Sequence, residues 1–348
     1  MNARAPITPV VSMADRPPDA SRFEFVSVGS LVACVKQIEW LVEGYVESDS
    51  LALIYGEPAH GKSFIAIDIA CSVATGTEWH GHMAKHGAVF YIAGEGHNGL
   101  ARRFLAWGEA RGVSLANAPL FVSNRSASLA EGASARTVLS TVRELAAVTG
   151  ETPVLIVVDT LARNFGRGDE NSAEDMGAFI SNLDELRRLW KATVLIVHHS
   201  GKDARRGARG SNALRGAVDA EYEVVKRQDD IISLLAGKMK EADRPAPMAF
   251  KLQGVESRDS SGKPVSGAVL VLADDMPVGK GVRGKHQVEM LRVLKEMEGD
   301  GERVRVDVWE GRIKLVGVSR QRIHDVKKAL VAHGLIELLP DGCVRSLK

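Results

Sequence analysis

Residues 56–63 read Gly-Glu-Pro-Ala-His-Gly-Lys-Ser, which satisfies G-x-x-x-x-G-K-[ST]. Two glycines let the backbone curl so that several N–H groups point at one phosphate chain. Lys62 adds a point charge for the β- and γ-phosphates, and the Ser63 hydroxyl suits Mg²⁺. Gly56, Glu57, Pro58, Ala59, His60, Gly61, Lys62, Ser63 and the following Phe64 are the expected nucleoside triphosphate site. ATP and Mg²⁺ are the expected cofactors. Such a pattern also arises by chance in glycine-rich turns. Here an apolar run, Leu51–Tyr55, precedes it and a helical run, Lys62–Ala74, follows, as a phosphate-binding loop requires.

Further chemistry is written at the ends of other apolar runs. Val154–Asp159 ends in a carboxylate, and at the C-terminal edge of a parallel sheet Asp159 reaches the water shell of Mg²⁺. Ala88–Ala93 is followed by Gly94-Glu95-Gly96, which brings Glu95 to the same edge as the group that orients and deprotonates the attacking water. Thr193–His198 leads into His199 and Ser200, an imidazole and a hydroxyl suited to sensing the γ-phosphate. Adjacent histidines on a strand face opposite ways, so His198 and His199 are not expected to share a metal. The run Gly201–Gly216 is basic and glycine-rich. With Arg205, Arg206 and Arg209 it fits a loop that follows a nucleic-acid backbone, and equally a solvated loop. Lys238 and Lys240, with Arg209, Arg215 and Arg227, are candidates for charge supplied in trans to a neighbouring subunit's nucleotide.

The elements that must position these groups alternate. Strands at Ala88–Ala93, Leu120–Val122, Val154–Asp159 and Thr193–His198 are separated by helices at Gly99–Arg111, Ser134–Thr149 and Ser172–Trp190. Strands apolar throughout and separated by helices imply an α/β fold with a mostly parallel sheet covered on both faces. From Tyr222 to Val271 short β-type runs follow without helices, predicting an antiparallel extension. Residues 1–22 have few large apolar side chains and read as a disordered tail, 23–273 as the core, and 274–284 as a linker. In 285–348, helices at Lys285–Met297 and Ser319–His333 precede a hairpin, Ile336–Leu339 and Cys343–Leu347 around Pro340-Asp341-Gly342. That order predicts a small winged helix-turn-helix whose second helix presents Arg320 and Arg322 to DNA. Protein docking or oligomerisation is the alternative use of such a module.

Composition is that of an ordinary globular chain: 348 residues, 45% apolar and 26% charged, with three scattered cysteines that match a reducing compartment. No membrane span or secretory signal is expected, and the expected location is cytoplasmic. The net charge of +1 hides an asymmetry. Residues 279–348 hold 15 Lys and Arg against 10 Asp and Glu, and the remainder 30 against 34. A basic C-terminal module beside a mildly acidic body suits nucleic-acid contact.

Taken together, WLVEGYV, GEPAHGKS, the strand with its AGE, LIVVDT, VLIVHHSGK and ARGSNALRGAVDAEYEV resemble the RecA-fold ATPases. The likeness is specifically to the RepA-like hexameric helicases of plasmids and phages, relatives of the DnaB-type replicative helicases. It covers about Phe23 to Val271. It implies a RecA-like core, a homo-hexamer and single-stranded DNA in a central channel. Lys62 and Ser63 would bind phosphate and Mg²⁺, Glu95 would be the catalytic carboxylate, Asp159 the metal-side acid and His199 the γ-phosphate sensor. The GKMK at Gly237–Lys240 is similar to the segment that carries trans-acting basic residues, with lysine in place of the usual arginine. The C-terminal module lies outside the resemblance and is expected to meet duplex DNA or another replication protein. A helicase loader or recombination mediator, and an ATP-switched DNA-binding regulator, are the rival readings.

Overall fold

The computed structural model describes residues 25–94, 96–200, 212–227, 230–259, 261–273, 285–299, 303–332, 335–339 and 341–347. Glu95, Arg205, Arg206, Arg209 and the segment 274–284 therefore lie outside the described residues. The chain divides into two units, Met1–Ile38 and Glu39–Lys348. The described residues of the first include a short helix, α1 (Val28–Ala33), capped by the Ser27 hydroxyl, which accepts from the Ser30 amide.

The second unit opens with a small ribbon, β1 (Trp40–Val42) and β2 (Val46–Glu47), in which Leu41 and Val42 are fully buried. The phosphate-loop strand β3 (Leu51–Gly56) follows, then α2 (Lys62–Thr75), β4 (Ala88–Ala93), α3 (His97–Arg111), β5 (Leu120–Val122) and α4 (Gly132–Thr149). The next elements are β6 (Pro153–Asp159), α5 (Leu161–Asn164), α6 (Ala173–Arg188), β7 (Thr193–His199), α7 (Asn212–Ala217) and β8 (Ala220–Lys226). Three further strands, β9 (Ile232–Met239), β10 (Met248–Arg258) and β11 (Pro264–Leu272), complete one nine-stranded sheet in the order β11-β10-β9-β8-β3-β7-β6-β4-β5.

From β8 to β5 every pairing is parallel, and β8-β9, β9-β10 and β10-β11 are antiparallel. This is an α/β core with a mostly parallel sheet and an antiparallel extension. Strands β3, β4 and β6 are buried along their whole length, because helices cover both faces. Two apolar clusters flank the sheet. The one on the α2 side includes Ile65, Ile69, Trp79 and Trp107, and the other includes Leu129, Phe165, Phe179 and Leu183.

Beyond the sheet come α8 (Lys285–Glu298), β12 (Val304–Arg305), α9 (Val306–Leu315), α10 (Arg320–Ala332), β13 (Ile336–Leu338) and β14 (Cys343–Ser346). The three strands form a separate sheet ordered β12-β14-β13, over a third cluster built on Met290, Trp309, Ile323 and Leu330. Sequence periodicity missed α9, whose apolar residues include the exposed Val308 and Leu315 and so trace no single face, and the two-residue β12. No helix among the described residues is long and apolar enough to cross a membrane.

The end of β3 is tightly confined. A Cβ on Gly56 would sit 2.2 Å from the Val224 carbonyl oxygen of β8, backbone that cannot move without parting the two strands. Gly56→Ala is therefore expected to cost about 1–3 kcal/mol. Thermal unfolding measures it, and an unchanged midpoint would show that β3 and β8 part freely.

Candidate nucleotide site

Register brings the candidate groups to one place. Gly56, the last residue of β3, pairs with His199 of β7 and with Val224 of β8, and Ala93 of β4 pairs with Asp159 of β6. The C-terminal ends of β3, β4, β6 and β7 thus form one edge, where a parallel α/β sheet binds its ligand. Alternation along the strands sorts the faces. Leu155, Val157 and Asp159 share a parity, as do Leu195, Val197 and His199, and the apolar members of both sets pack on the α2 side. His198 has the opposite parity and is fully buried.

The loop itself adopts the curl its sequence predicts. Ala59 and Gly61 take positive φ angles of 63° and 91°, which turn the chain into the N-terminus of α2. The buried Lys62 ammonium donates to the Gly56 carbonyl at 3.0 Å and to the Glu57 carbonyl at 2.7 Å. An ammonium held by carbonyl oxygens at a helix N-terminus is placed to take phosphate oxygens as further partners. His60 is held by β8: its Nδ1 lies 3.2 Å from the Lys226 amide and 3.4 Å from the Val224 carbonyl oxygen, and its Nε2 is 3.7 Å from the Glu57 carboxylate. The Phe64 ring lies under the Arg103 guanidinium of α3, 4.6 Å from its centroid.

On the metal side, the Ser63 hydroxyl donates to Asp159 Oδ1 at 3.1 Å. The fully buried Tyr91 hydroxyl donates to Oδ2 of the same carboxylate at 2.5 Å. Burial first, then the adjacent carboxylate, push the Tyr91 phenol well above its ordinary range, so it stays protonated and a donor. A serine hydroxyl beside an oriented carboxylate is an all-oxygen donor set, which fits Mg²⁺. Sequence reasoning missed Tyr91. It lies within an apolar strand, and only the buried hydroxyl's need for a partner hints at its role.

The neighbourhood of Glu95 is tightly built. The Gly94 amide donates to the Asp159 carbonyl at 2.6 Å, and a Cβ on Gly94 would lie 2.2 Å from Arg163 Cβ. The buried Asn164 side chain donates to the Thr160 carbonyl at 3.0 Å and accepts from the Ala127 amide at 2.9 Å. On the other flank, the Ser200 amide donates to the Gly56 carbonyl at 3.0 Å, so the residue after His199 is tied to the first residue of the loop.

Lys238 and Lys240 lie elsewhere. Lys238 pairs with Glu221 near the start of β8, so both lysines sit toward the sheet edge opposite their own phosphate loop. The Lys238 ammonium caps α7, donating to the carbonyls of Arg215, Gly216 and Val218 at 3.0, 3.3 and 2.6 Å. Lys240 pairs with Asp219 at 3.2 Å. Arg320 and Arg322 are exposed on α10.

A family model described as an AAA domain matches residues 17–205, more than half of the chain. The chain belongs to the AAA domain family. Its matched segment contains the phosphate loop, Glu95, Asp159 and His199, so the nucleotide-binding core is that of a P-loop ATPase. Among solved structures the chain is similar to an ATPase domain, at 13% identity and a TM-score of 0.48, over 64% of this chain and 91% of that one. No curated protein matches.

Removing the Tyr91 hydroxyl leaves Asp159 Oδ2 without this donor. Tyr91→Phe is expected to raise the Mg²⁺ concentration for half-maximal binding of a fluorescent ADP analogue about tenfold, as removal of a partner behind a metal ligand does. An unchanged Mg²⁺ requirement would remove Tyr91 from the site.

Proposed function

We propose that this chain is an ATP-driven DNA motor of the hexameric replicative helicase type. The observation that carries the reading is the convergence of Lys62, Ser63, Asp159 and His199 at one sheet edge, which the chain leaves directly into the basic run Gly201–Gly216. Lys62 and the loop amides bind the β- and γ-phosphates. Ser63 and Asp159 hold Mg²⁺, which when bound neutralises charge on the phosphoryl oxygens. Glu95, reached from Gly94, orients and deprotonates the attacking water. His199, on the strand hydrogen-bonded to the loop, carries the presence of the γ-phosphate into the following basic run, where Arg205, Arg206 and Arg209 track single-stranded DNA. Lys238 and Lys240, remote from their own phosphate loop, serve the nucleotide of an adjacent copy in the ring.

The order α8, β12, α9, α10, β13, β14 supports a winged-helix module, with 285–348 as its extent. Its helix α10 presents Arg320, Gln321, Arg322 and His324 to solvent. In this reading α10 meets duplex DNA or a replication partner.

ATP turnover with and without single-stranded DNA tests the motor. Stimulation is expected in the intact protein, with loss in Lys62→Ala and a fall of about 10²–10⁴-fold in Glu95→Gln. Flat, slow turnover indifferent to single strands would instead favour an ATP-switched regulator acting through α10. Stimulated turnover without strand displacement would favour a loader or mediator. For the module, the double variant Arg320→Ala/Arg322→Ala is expected to weaken duplex binding and flatten its salt dependence, by about one unit of logarithmic slope for each phosphate no longer neutralised. Equal binding by the variant would exclude α10 from the DNA interface.

A further inference from the structure

Helix α2 is apolar through its middle except for one carboxylate, Asp68, which is 2% exposed. A charge so deeply buried is costly unless donors surround it. Four converge on it. The Trp107 indole donates to Oδ1 at 2.7 Å and the Trp79 indole to Oδ2 at 3.0 Å. The His80 ring lies 2.6 Å from Oδ2, and the Arg111 guanidinium 3.6 Å from Oδ1. Trp79 and His80 belong to the turn just after α2, so they hold the carboxylate from its own side of the chain. Trp107 and Arg111 come from α3.

The α3 contacts have a helical register. Arg103, Trp107 and Arg111 are spaced four apart, and they meet Phe64 and Asp68, also four apart. Phe64 adjoins Ser63. On the same stretch of α3, Phe104 packs edge-on against Tyr91 at 6.0 Å, and Tyr91 holds Asp159. Helix α3 thus touches the residue beside the serine and the residue behind the aspartate.

We propose that Asp68 and Trp107 are positioning residues for nucleotide hydrolysis. They lock α3 in register on the phosphate-loop helix, and through Arg103–Phe64 and Phe104–Tyr91 that register holds Ser63 against Asp159. The proposal rests on the reading of Ser63 and Asp159 as the Mg²⁺ side of the site. A role confined to stability would treat all four donors alike. A positioning role separates the donors from α3 from those after α2.

The test compares Trp107→Phe with Trp79→Phe in the full chain, since each removes one indole donor from the same carboxylate. Thermal midpoint is measured, together with binding of a fluorescent ADP analogue across Mg²⁺ concentrations and in EDTA. Both variants are expected to melt lower. Trp107→Phe alone should raise the Mg²⁺ requirement, by about tenfold, with metal-free nucleotide affinity unchanged. Equal shifts in both variants, or a lower midpoint in Trp107→Phe with an unaltered Mg²⁺ requirement, would overturn the proposal. If Trp107→Phe fails to fold, Arg111→Gln removes the α3 charge beside the same oxygen and is read the same way. Ser63→Ala and Asp159→Asn separate the two levels. If both raise the Mg²⁺ requirement and Trp107→Phe does not, only the positioning proposal falls. If neither does, the metal reading falls and takes the proposal with it.

Discussion

The exit of β3 governs the rest of this structure. Gly56 is pinned between two neighbours, accepting from the Ser200 amide beside β7 and lying against the Val224 carbonyl of β8. The Val224 contact leaves no room for a side chain, so the loop begins at a point set by backbone alone. Everything downstream is measured from that point: the turn through Ala59 and Gly61, the ammonium of Lys62, and the first turn of α2. A site assembled this way depends little on side-chain packing at its origin. It depends strongly on packing behind α2, where a misplaced helix would carry the serine away from its aspartate.

That division explains where polar groups are buried. Tyr91, Asn164 and Asp68 each sit among apolar neighbours, and each satisfies its hydrogen bonds within the protein. Polar contacts in a dry interior have one good geometry, whereas apolar surfaces slide at little cost. The burial of these groups beside the nucleotide edge therefore gives precision of placement at some expense in stability.

Much of this was legible in the chain. Uninterrupted apolar runs marked β3, β4, β6 and β7, because strands covered on both faces have no polar alternation to blur them. Their terminal residues, Gly56, Asp159 and His199, fell at the edge because each apolar run ended with its strand. The antiparallel extension was legible from short β-type runs without helices, though β10 and β11 proved longer than their apolar segments, since much of β10 is exposed. Illegible were the contacts between distant segments. Nothing in the spacing of Asp68 and Trp107 announces that an indole 39 positions away satisfies that carboxylate. Helix α9 escaped because only Trp309 and Ile313 anchor it, too few to set a period.

The antiparallel turn from β8 into β9 has one more consequence. It gives the sheet a polarity, with phosphate chemistry at one edge and Lys238 and Lys240 toward the other. On the proposed trans role, two copies related by a two-fold axis would exchange lysines reciprocally, each serving the other's loop, and assembly would stop at two. A heterologous, head-to-tail contact instead offers the lysines of one copy to the loop of the next, without that limit. Such contacts close into rings or run on as filaments according to the rotation at each step. The choice between ring and filament would then belong to the interface angle and not to the nucleotide site.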